Sequence, residues 1–230
     1  MCTMPFAAHA QALQCDIPRT LPAAILERPP AGAINQSPAT GNILALSWSP
    51  QYCRTNGRRD PIQCSGQNGS FGFILHGLWP DGPGQNDPAW CAPAEALPPA
   101  LIRQNLCRMP SVRLQQHEWA KHGTCVSKQP SQYFKASALL FDALKWPDMN
   151  ALSRDRVTTE GFLKAFVLAN PGLRTDMLRV DTAKGGWLKE VRLCLDTDYK
   201  PKRCPRDQRS ANPRAALKIW RISKGCHQGS

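Results

Sequence analysis

The chain has 230 residues, ten of them cysteine, and its 29 Lys and Arg outnumber its 17 Asp and Glu, for a formal net charge of +12. This length suits one domain with a substantial core, and the charge favours a polyanionic partner, although a merely cationic surface would look the same. No stretch of about 18 consecutive apolar residues occurs, which argues against a membrane-spanning helix, and no two CxxC pairs form a zinc module, so the cysteines indicate disulfides in an exported protein.

The amino-terminal residues resemble the end of a signal peptide. Small residues fill the stretch Pro-Phe-Ala-Ala-His-Ala-Gln-Ala, while a basic segment and a full apolar segment before it are missing. We therefore predict a signal-peptide remnant over residues 1–12, one domain over residues 13–230, and a secreted or periplasmic protein. Residues 16–41 are rich in Pro and Ala and lack periodicity, which predicts an irregular arm lying over the domain.

Apolar segments predict the strands. Residues 42–48 form one candidate, and residues 71–75 form a second that ends at His76. Residues 81–99 are dense in Pro and Gly, which predicts a loop. Two further strands are predicted near the carboxyl end, at residues 187–195 and 215–222.

Apolar residues at helical spacing predict two helices in the middle of the chain. The first spans residues 131–146 and stops before Pro147, and the second spans residues 159–169 with Thr158 or Thr159 as its N-cap. Because these helices are flanked by strands, with no βαβ alternation or internal repeat, we predict an α+β fold. In that fold several α-helices pack on a central antiparallel β-sheet, and disulfides stabilise the whole.

Two segments that contain histidine carry the candidate chemistry, Phe73-Ile-Leu-His-Gly-Leu-Trp-Pro-Asp81 and His117-Glu-Trp-Ala-Lys-His-Gly-Thr-Cys125. On a regular helix, Glu118 and His122 lie four residues apart on one face, and His117 and Lys121 share the adjoining face. Gly123 is predicted to end this helix. A zinc-protease motif needs histidines at i and i+4, whereas these two are five apart and cannot share one metal from a regular helix.

Two imidazoles, a lysine and a carboxylate without clustered metal ligands suit the cleavage of RNA by its own 2′-hydroxyl. One imidazole can remove the 2′ proton while the other protonates the departing 5′ oxygen. The lysine can supply positive charge to the phosphorane as it becomes more anionic. Such a site holds one histidine neutral and one protonated, so we expect the rate to peak somewhat below neutrality, near the imidazole pKa of about 6.5 or lower, and DNA to be inert.

The segments His76-Gly-Leu-Trp-Pro80 and His117-Glu-Trp-Ala-Lys-His-Gly-Thr-Cys125 resemble the two active-site signatures of the ribonuclease T2 family, which are secreted endoribonucleases. The similarity extends from residues 44–48 to residues 190–194. The resemblance implies an endoribonuclease that needs no metal or cofactor and cleaves single-stranded RNA with low base specificity. Its products would be 2′,3′-cyclic phosphates and then 3′-phosphates, and it would act as a monomer without an obligate protein partner.

The resemblance also implies a role for each residue of the two signatures. His76 would be the general acid toward the 5′ oxygen, and His122 would be the base on the 2′-hydroxyl. Glu118 and Lys121 would stabilise the transition state. His117 would hold the phosphate, although a buried or capping histidine is the alternative there.

One residue of the first signature and the residue that follows the signature would bind the base. By resemblance Trp79 would stack on it, and Asp81 would accept a hydrogen bond from its exocyclic amine, which suits the way single-stranded RNA is recognised. A Trp beside a buried strand is also a frequent core residue, and Asp81 before Gly82 is a frequent turn residue, so both alternatives stay open. Trp119 is predicted to be a packing residue.

The resemblance implies three disulfides, Cys53–Cys64, Cys91–Cys125 and Cys194–Cys204. The second of these would tie the loop after the first signature to the end of the catalytic helix. Four cysteines stay without an assigned partner, namely Cys2, Cys15, Cys107 and Cys226.

Two other classes of protein are weighed against this interpretation. A catalytically weak cationic RNA-binding or toxin-like protein could keep the same fold, but the complete set of His76, Glu118, Lys121 and His122 argues against it. A metal-dependent nuclease or phosphatase would need clustered carboxylates or a set of His and Asp ligands, whereas the acidic residues here are scattered.

Overall fold

The computed structural model describes residues 12–222. The strands are β1 Ala12–Cys15, β2 Gly41–Trp48, β3 Gly69–Phe71, β4 Phe73–Asp81, β5 Val157–Thr158, β6 Leu178–Ala183, β7 Trp187–Leu195 and β8 Ala216–Leu217. The α-helices are α1 Ser49–Asn56, α2 Pro61–Cys64, α3 Pro99–Asn105, α4 Val112–Glu118, α5 Thr124–Val126, α6 Pro130–Asp142, α7 Met149–Leu152 and α8 Thr159–Ala169. The signal-peptide remnant predicted for residues 1–12 lies outside the described residues, apart from Ala12, as do Cys2 and Cys226.

An antiparallel sheet of four strands, in the order β4-β2-β7-β6, lies at the centre of the fold. Two small antiparallel pairs, β1-β3 and β5-β8, flank it. The predicted α+β class is therefore confirmed. No helix within residues 12–222 is long and apolar enough to cross a membrane.

The helices cover one face of the central sheet. Side chains alternate along a strand, so Leu44 and Leu46 of β2 enter the main core while Ser47 points to the other side. Aromatic side chains of α6 and α8, including Phe134 and Phe162, complete that core. We call the side of the sheet that carries Ser47 the second face.

Strand β7 contributes several polar and aromatic side chains to the second face. One extra residue interrupts its register with β6, and as a result Leu188 and Val191, three residues apart, both enter the core. Trp187, Glu190 and Arg192 consequently lie on the second face. A simple alternation of residues would have placed Trp187 in the core.

Most of the predicted elements are confirmed. The strand predicted at residues 42–48 is β2, the strand at residues 187–195 is β7, and the second helix is α8. Thr158 caps α8, since its hydroxyl accepts a hydrogen bond of 3.1 Å from the Gly161 amide. Residues 16–40 form the irregular arm, and residues 82–98 hold a short 3₁₀ turn at Pro83–Gln85 and one isolated β-bridge from Ala89 to Asn35 in the arm.

The strand predicted at residues 71–75 is wrong in its bounds. β4 runs from Phe73 to Asp81, so His76 lies inside the strand and not at its end. Pairing with β2 continues to Asp81, and Pro80 is tolerated because β4 is an edge strand of the central sheet.

Two other predicted elements are shorter than expected. The helix predicted at residues 131–146 ends at Asp142, because the Asn170 side chain bonds to both backbone groups of Lys145 at 2.7 and 2.8 Å and turns the chain. The strand predicted at residues 215–222 is only Ala216–Leu217. Beyond it, the backbone bonds to Gly186 and to the indole of Trp48 instead of forming a ladder.

Four disulfides join described cysteines. Cys53–Cys64, Cys91–Cys125 and Cys194–Cys204 form as the resemblance implied. The fourth joins Cys15 and Cys107, which had no assigned partner, across 92 residues. This bond fastens the start of the arm to the turn that follows α3.

Candidate active site

A β-bulge in β4 positions the first histidine. Leu75 and Gly77 pair with consecutive residues of β2, which leaves His76 as the extra residue. In a regular strand, His76 and Trp79 would point to opposite faces because they are three residues apart. The bulge brings both onto the second face, where their rings meet edge to face with centroids 5.1 Å apart.

His76 lies between two buried carboxylates. Its Nδ1 atom is 2.5 Å from Oε2 of Glu190 and 3.0 Å from the hydroxyl of Ser47, while its Nε2 atom is 3.6 Å from Oε1 of Glu118. Glu190 also accepts a hydrogen bond of 2.8 Å from Arg192. Burial alone would lower the pKa of His76, but the hydrogen bond to Glu190 and the charges of both carboxylates outweigh it and raise the pKa. The site therefore favours the protonated imidazolium.

The second signature lies on one continuous helix that contains a π-helical turn. α4 leads directly into the π turn Trp119–Gly123, which continues into α5. The prediction that Gly123 ends the helix is therefore wrong. This residue has helical φ and ψ of −61° and −39°, and a Cβ there would lie 2.4 Å from the Trp119 ring, so tight packing accounts for the glycine. Trp119 itself is a core residue, as predicted.

Glu118 is held against β4. Its side chain is 1% exposed, and Oε2 accepts a hydrogen bond of 2.7 Å from the Trp79 indole. Glycine at position 77 permits this approach, because a Cβ there would lie 2.0 Å from Oε2 of Glu118. Burial raises the pKa of Glu118, while the positive charges of His76 and His117 oppose that rise.

His122 is buried and lacks a hydrogen-bond partner. Its Nδ1 atom bonds to none of the residues that the structure describes, and its ring centroid is 5.4 Å from that of Trp79. Burial, followed by the positive charges of Lys121, His117 and His76, lowers the pKa of His122 to about 2. His122 is therefore neutral where His76 is charged, which is the division of protonation states that acid–base catalysis requires.

His117 lies at the rim of the site and contacts the irregular arm. Its Nδ1 atom is 2.8 Å from Oε1 of Glu27, and its ring meets that of Trp90 edge to face. Trp90 has a positive φ of 58°, which is rare for a bulky residue, and its amide donates a hydrogen bond of 2.7 Å to the carbonyl of Lys121 in the π turn. The arm, through Glu27, and the loop that carries Trp90 therefore both contact the side of the signature helix that bears His117.

Asp81 lies at the far end of β4 beside a pocket of about 560 Å³. Its side chain is buried and accepts a hydrogen bond of 2.7 Å from Gln208. Burial raises the pKa of Asp81, and the bond from Gln208 opposes that rise. Trp79, His122 and Arg192 also line this pocket, so the residues predicted to bind a base share one cavity with a predicted catalytic histidine.

Sequence reasoning missed four residues of the site, namely Ser47, Glu190, Arg192 and Gln208. Glu190 did leave a signal, because a carboxylate inside an apolar strand is buried only when it is paired. The other three residues gave none, since their positions depend on the register of the central sheet and on the loop after β7. Within residues 12–222, no three His, Cys, Asp or Glu side chains converge as metal ligands would.

These groups are arranged for acid–base chemistry on a substrate that enters the pocket beside Trp79 and His122. A family model described as "Ribonuclease T2 family" matches residues 41–204, which include both signatures. The chain belongs to the ribonuclease T2 family.

Two relatives carry ribonuclease names. A probable ribonuclease of Haemophilus influenzae is 34% identical over 182 residues, which make up 74% of this chain and 62% of that protein. A ribonuclease of Aeromonas hydrophila is 32% identical over 161 residues, which make up 67% of this chain and 71% of that protein. The chain thus spans less than two thirds of the length of the Haemophilus relative.

Solved structures share the fold. An RNase-related protein from Calystegia sepium matches with a TM-score of 0.63 at 23% identity, over 81% of this chain and 98% of that one. The structure of RNase NT in complex with 5′-AMP matches with a TM-score of 0.64 at 20% identity, over 81% of this chain and 100% of that one. At these identities the likeness is one of fold alone.

Proposed function

We propose that this protein is a metal-independent endoribonuclease that cleaves single-stranded RNA by attack of the 2′-hydroxyl on the adjacent phosphate. The observation that carries the proposal is the contrast between the surroundings of two histidines that both contact Trp79: His76 lies between two carboxylates, whereas the Nδ1 atom of His122 is buried without a partner among the described residues. Paired carboxylates raise the pKa of His76, while burial lowers that of His122. A general acid and a general base are therefore both in their working states at the same pH.

In the first step of this mechanism each group has one task. His122 removes the 2′ proton and His76 protonates the departing 5′ oxygen, which yields a 2′,3′-cyclic phosphate. Water then attacks the phosphorus of the cyclic phosphate and the bond from phosphorus to the 2′ oxygen breaks, giving a 3′-phosphate. The histidines exchange tasks in this step, because His76 removes a proton from the water and His122 returns one to the 2′ oxygen. Lys121 and Glu118 stabilise the phosphorane, and His117 binds phosphate through its Nε2 atom, since Nδ1 is already bonded to Glu27.

Glu190 acts on the reaction through His76 and is a positioning residue. Its bond of 2.5 Å to Nδ1 leaves Nε2 as the nitrogen that delivers a proton to substrate. Arg192 holds Glu190 in turn at 2.8 Å. The imidazolium is thus fixed in both orientation and charge.

Low base specificity is part of the proposal. Trp79 and Asp81 contact the base in the pocket beside His122, and Gln208 orients the Asp81 carboxylate. Stacking on an aromatic ring tolerates every base, because each base has a π face. We also propose that the protein acts as a monomer. We further propose that it is secreted or periplasmic, which the four disulfides among the described cysteines support.

The proposal is tested by digesting yeast RNA and single-stranded DNA at pH 5.5 with EDTA present. Wild type, His122→Ala and the surface control Lys135→Gln are compared. We expect the wild type and the control to cut RNA alone, and His122→Ala to lose at least about 100-fold in rate. Loss of wild-type cleavage in EDTA, or equal cleavage of DNA, would instead support a metal-dependent nuclease.

A further inference from the structure

A stack of two tryptophans and two cations lies outside the pocket described above. The rings of Trp187 and Trp220 are parallel, with centroids 3.7 Å apart and planes 4° apart. The guanidinium carbon of Arg54 lies 3.3 Å from the centroid of Trp220, and the Lys218 ammonium lies 5.6 Å from the centroid of Trp187. We call these four residues the tryptophan stack.

The fold holds the tryptophan stack rigidly. The Trp220 indole donates a hydrogen bond of 2.9 Å to Gln51 of α1, and its carbonyl accepts one of 3.0 Å from the indole of Trp48. The backbone amide of Lys218 donates to Gly186 at 2.8 Å. A binding surface that is already ordered loses little side-chain entropy when a ligand arrives.

The tryptophan stack lies on the same side of the sheet as the candidate active site. Trp187 and Glu190 both project from the second face of β7. They are three positions apart along the strand, which corresponds to about 10 Å. An RNA strand bound at His76 can therefore continue across the tryptophan stack.

The surroundings of the tryptophan stack are basic. Arg54 and Lys218 are exposed, and neither forms an ion pair with any residue between positions 12 and 222. A groove of about 230 Å³ beside the stack is lined by Arg54, Trp220 and Arg221, and by no acidic residue among those described. Arg58 and Arg59 lie at the adjoining end of α1. An unpaired cationic groove of this kind is complementary to a polyanion.

We propose that the tryptophan stack is an accessory RNA-binding platform for nucleotides outside the scissile step, an inference that rests on the proposed ribonuclease function. The tryptophans cover each other, and Trp220 covers one side of the Arg54 guanidinium, so the other side can stack on a base while its N–H groups bind phosphate. Lys218 contacts a neighbouring phosphate. The platform strengthens binding of long RNA in particular.

The test compares the Arg54→Gln/Lys218→Gln variant with Lys135→Gln/Lys164→Gln, which loses the same charge from helices on the opposite face of the sheet. Each protein cleaves the dinucleotide UpU and a 20-residue oligouridylate at several salt concentrations. We expect the ratio of kcat/KM for the long substrate to that for UpU to fall about tenfold in the first variant at low salt, because two phosphate contacts are lost. Its salt dependence for the long substrate should also weaken by about 1.4 in log–log slope.

An equal ratio in both variants would overturn the proposal. Binding of a labelled 2′-O-methyl oligouridylate, which cannot be cleaved, separates this failure from failure of the proposed function. If the wild type cleaves neither substrate, the ribonuclease proposal fails. The platform is then still supported by weaker binding in the first variant alone, and refuted by equal binding in the two.

Discussion

His76 is the residue on which the acid–base account depends, because its charge state is set by partners that are distant in sequence. Glu190 lies 2.5 Å from one ring nitrogen and Glu118 lies 3.6 Å from the other. His122 is kept neutral by burial in the same region. Because the pKa of His122 is lowered and that of His76 is raised, we expect the activity of the free protein to stay constant across the ordinary imidazole pKa. The sequence alone had suggested a rate that peaks somewhat below neutrality.

Replacing Glu190 with Gln should make activity more sensitive to alkaline pH. The raised pKa of His76 keeps the acid protonated to higher pH, and activity is lost as pH rises through that value. Without the Glu190 charge the pKa falls, so the alkaline limb of kcat/KM moves to lower pH and activity drops more at pH 8 than at pH 5.5. The pH profile of kcat/KM measures this, with the exposed Glu160→Gln as control. A variant whose profile is merely scaled down would contradict the positioning role.

Replacing Gly77 with Ala should damage the site more than the fold. A Cβ at this position would lie 2.0 Å from Glu118 and 2.6 Å from the indole nitrogen of Trp79, so both must move. A displacement of about 1 Å at a reacting group can cost about 100-fold in rate, and we expect a loss of that order in kcat. Gly161→Ala, in α8, is the matched control. Steady-state kinetics and melting temperature are measured together, and unchanged kcat in a well-folded Gly77→Ala would refute this placement of Glu118.

At the scale of the elements, the sequence predicted those whose pattern is local. Thr158 and the apolar spacing of α8 lie within one segment, as do the apolar residues of β2. The bulge at His76 and the irregularity in β7 are not local, because both arise from pairing with a neighbouring strand. The sequence therefore indicated the candidate catalytic residues but not the second face that brings His76, Trp79 and Glu190 together.

The π-helical turn is another feature that the local sequence did not predict. A regular helix predicted Glu118 and His122 on one face, and Gly123 was interpreted as a stop signal. The helix instead continues through Trp119–Gly123, where the Lys121 carbonyl accepts a hydrogen bond from Trp90. Such turns are frequent at functional sites, yet nothing in the local residue types distinguishes one from a regular helical turn.

At the scale of the whole molecule, the disulfides fasten irregular segments to the sheet and helices. Cys15–Cys107 anchors the arm that brings Glu27 to His117, and Cys91–Cys125 ties the loop containing Trp90 to the end of the signature helix. The resemblance implied the second bond but not the first. Only the fold reveals that Cys15 and Cys107, 92 residues apart, are neighbours.

Removal of the long-range disulfide should cost the most stability. Loop-closure entropy predicts a loss of about 4–5 kcal/mol for Cys15→Ser/Cys107→Ser, whose loop spans 92 residues, against about 3 kcal/mol for Cys53→Ser/Cys64→Ser, whose loop spans 11. Urea unfolding at pH 7 gives the two free energies. If the short loop proves the more costly to open, the arm is not held to the domain as described.

The central claim is that the 2′-hydroxyl of RNA is the nucleophile and that two histidines move its protons. The most direct measurement is the cleavage, in EDTA, of a labelled oligoribonucleotide that carries a 2′-O-methyl group at a single internal residue. We predict cuts at linkages throughout the strand except the one that follows the methylated residue, with 2′,3′-cyclic phosphate ends resolved by mass spectrometry. Cleavage at the methylated linkage, or fragments with 5′-phosphate ends, would contradict the account.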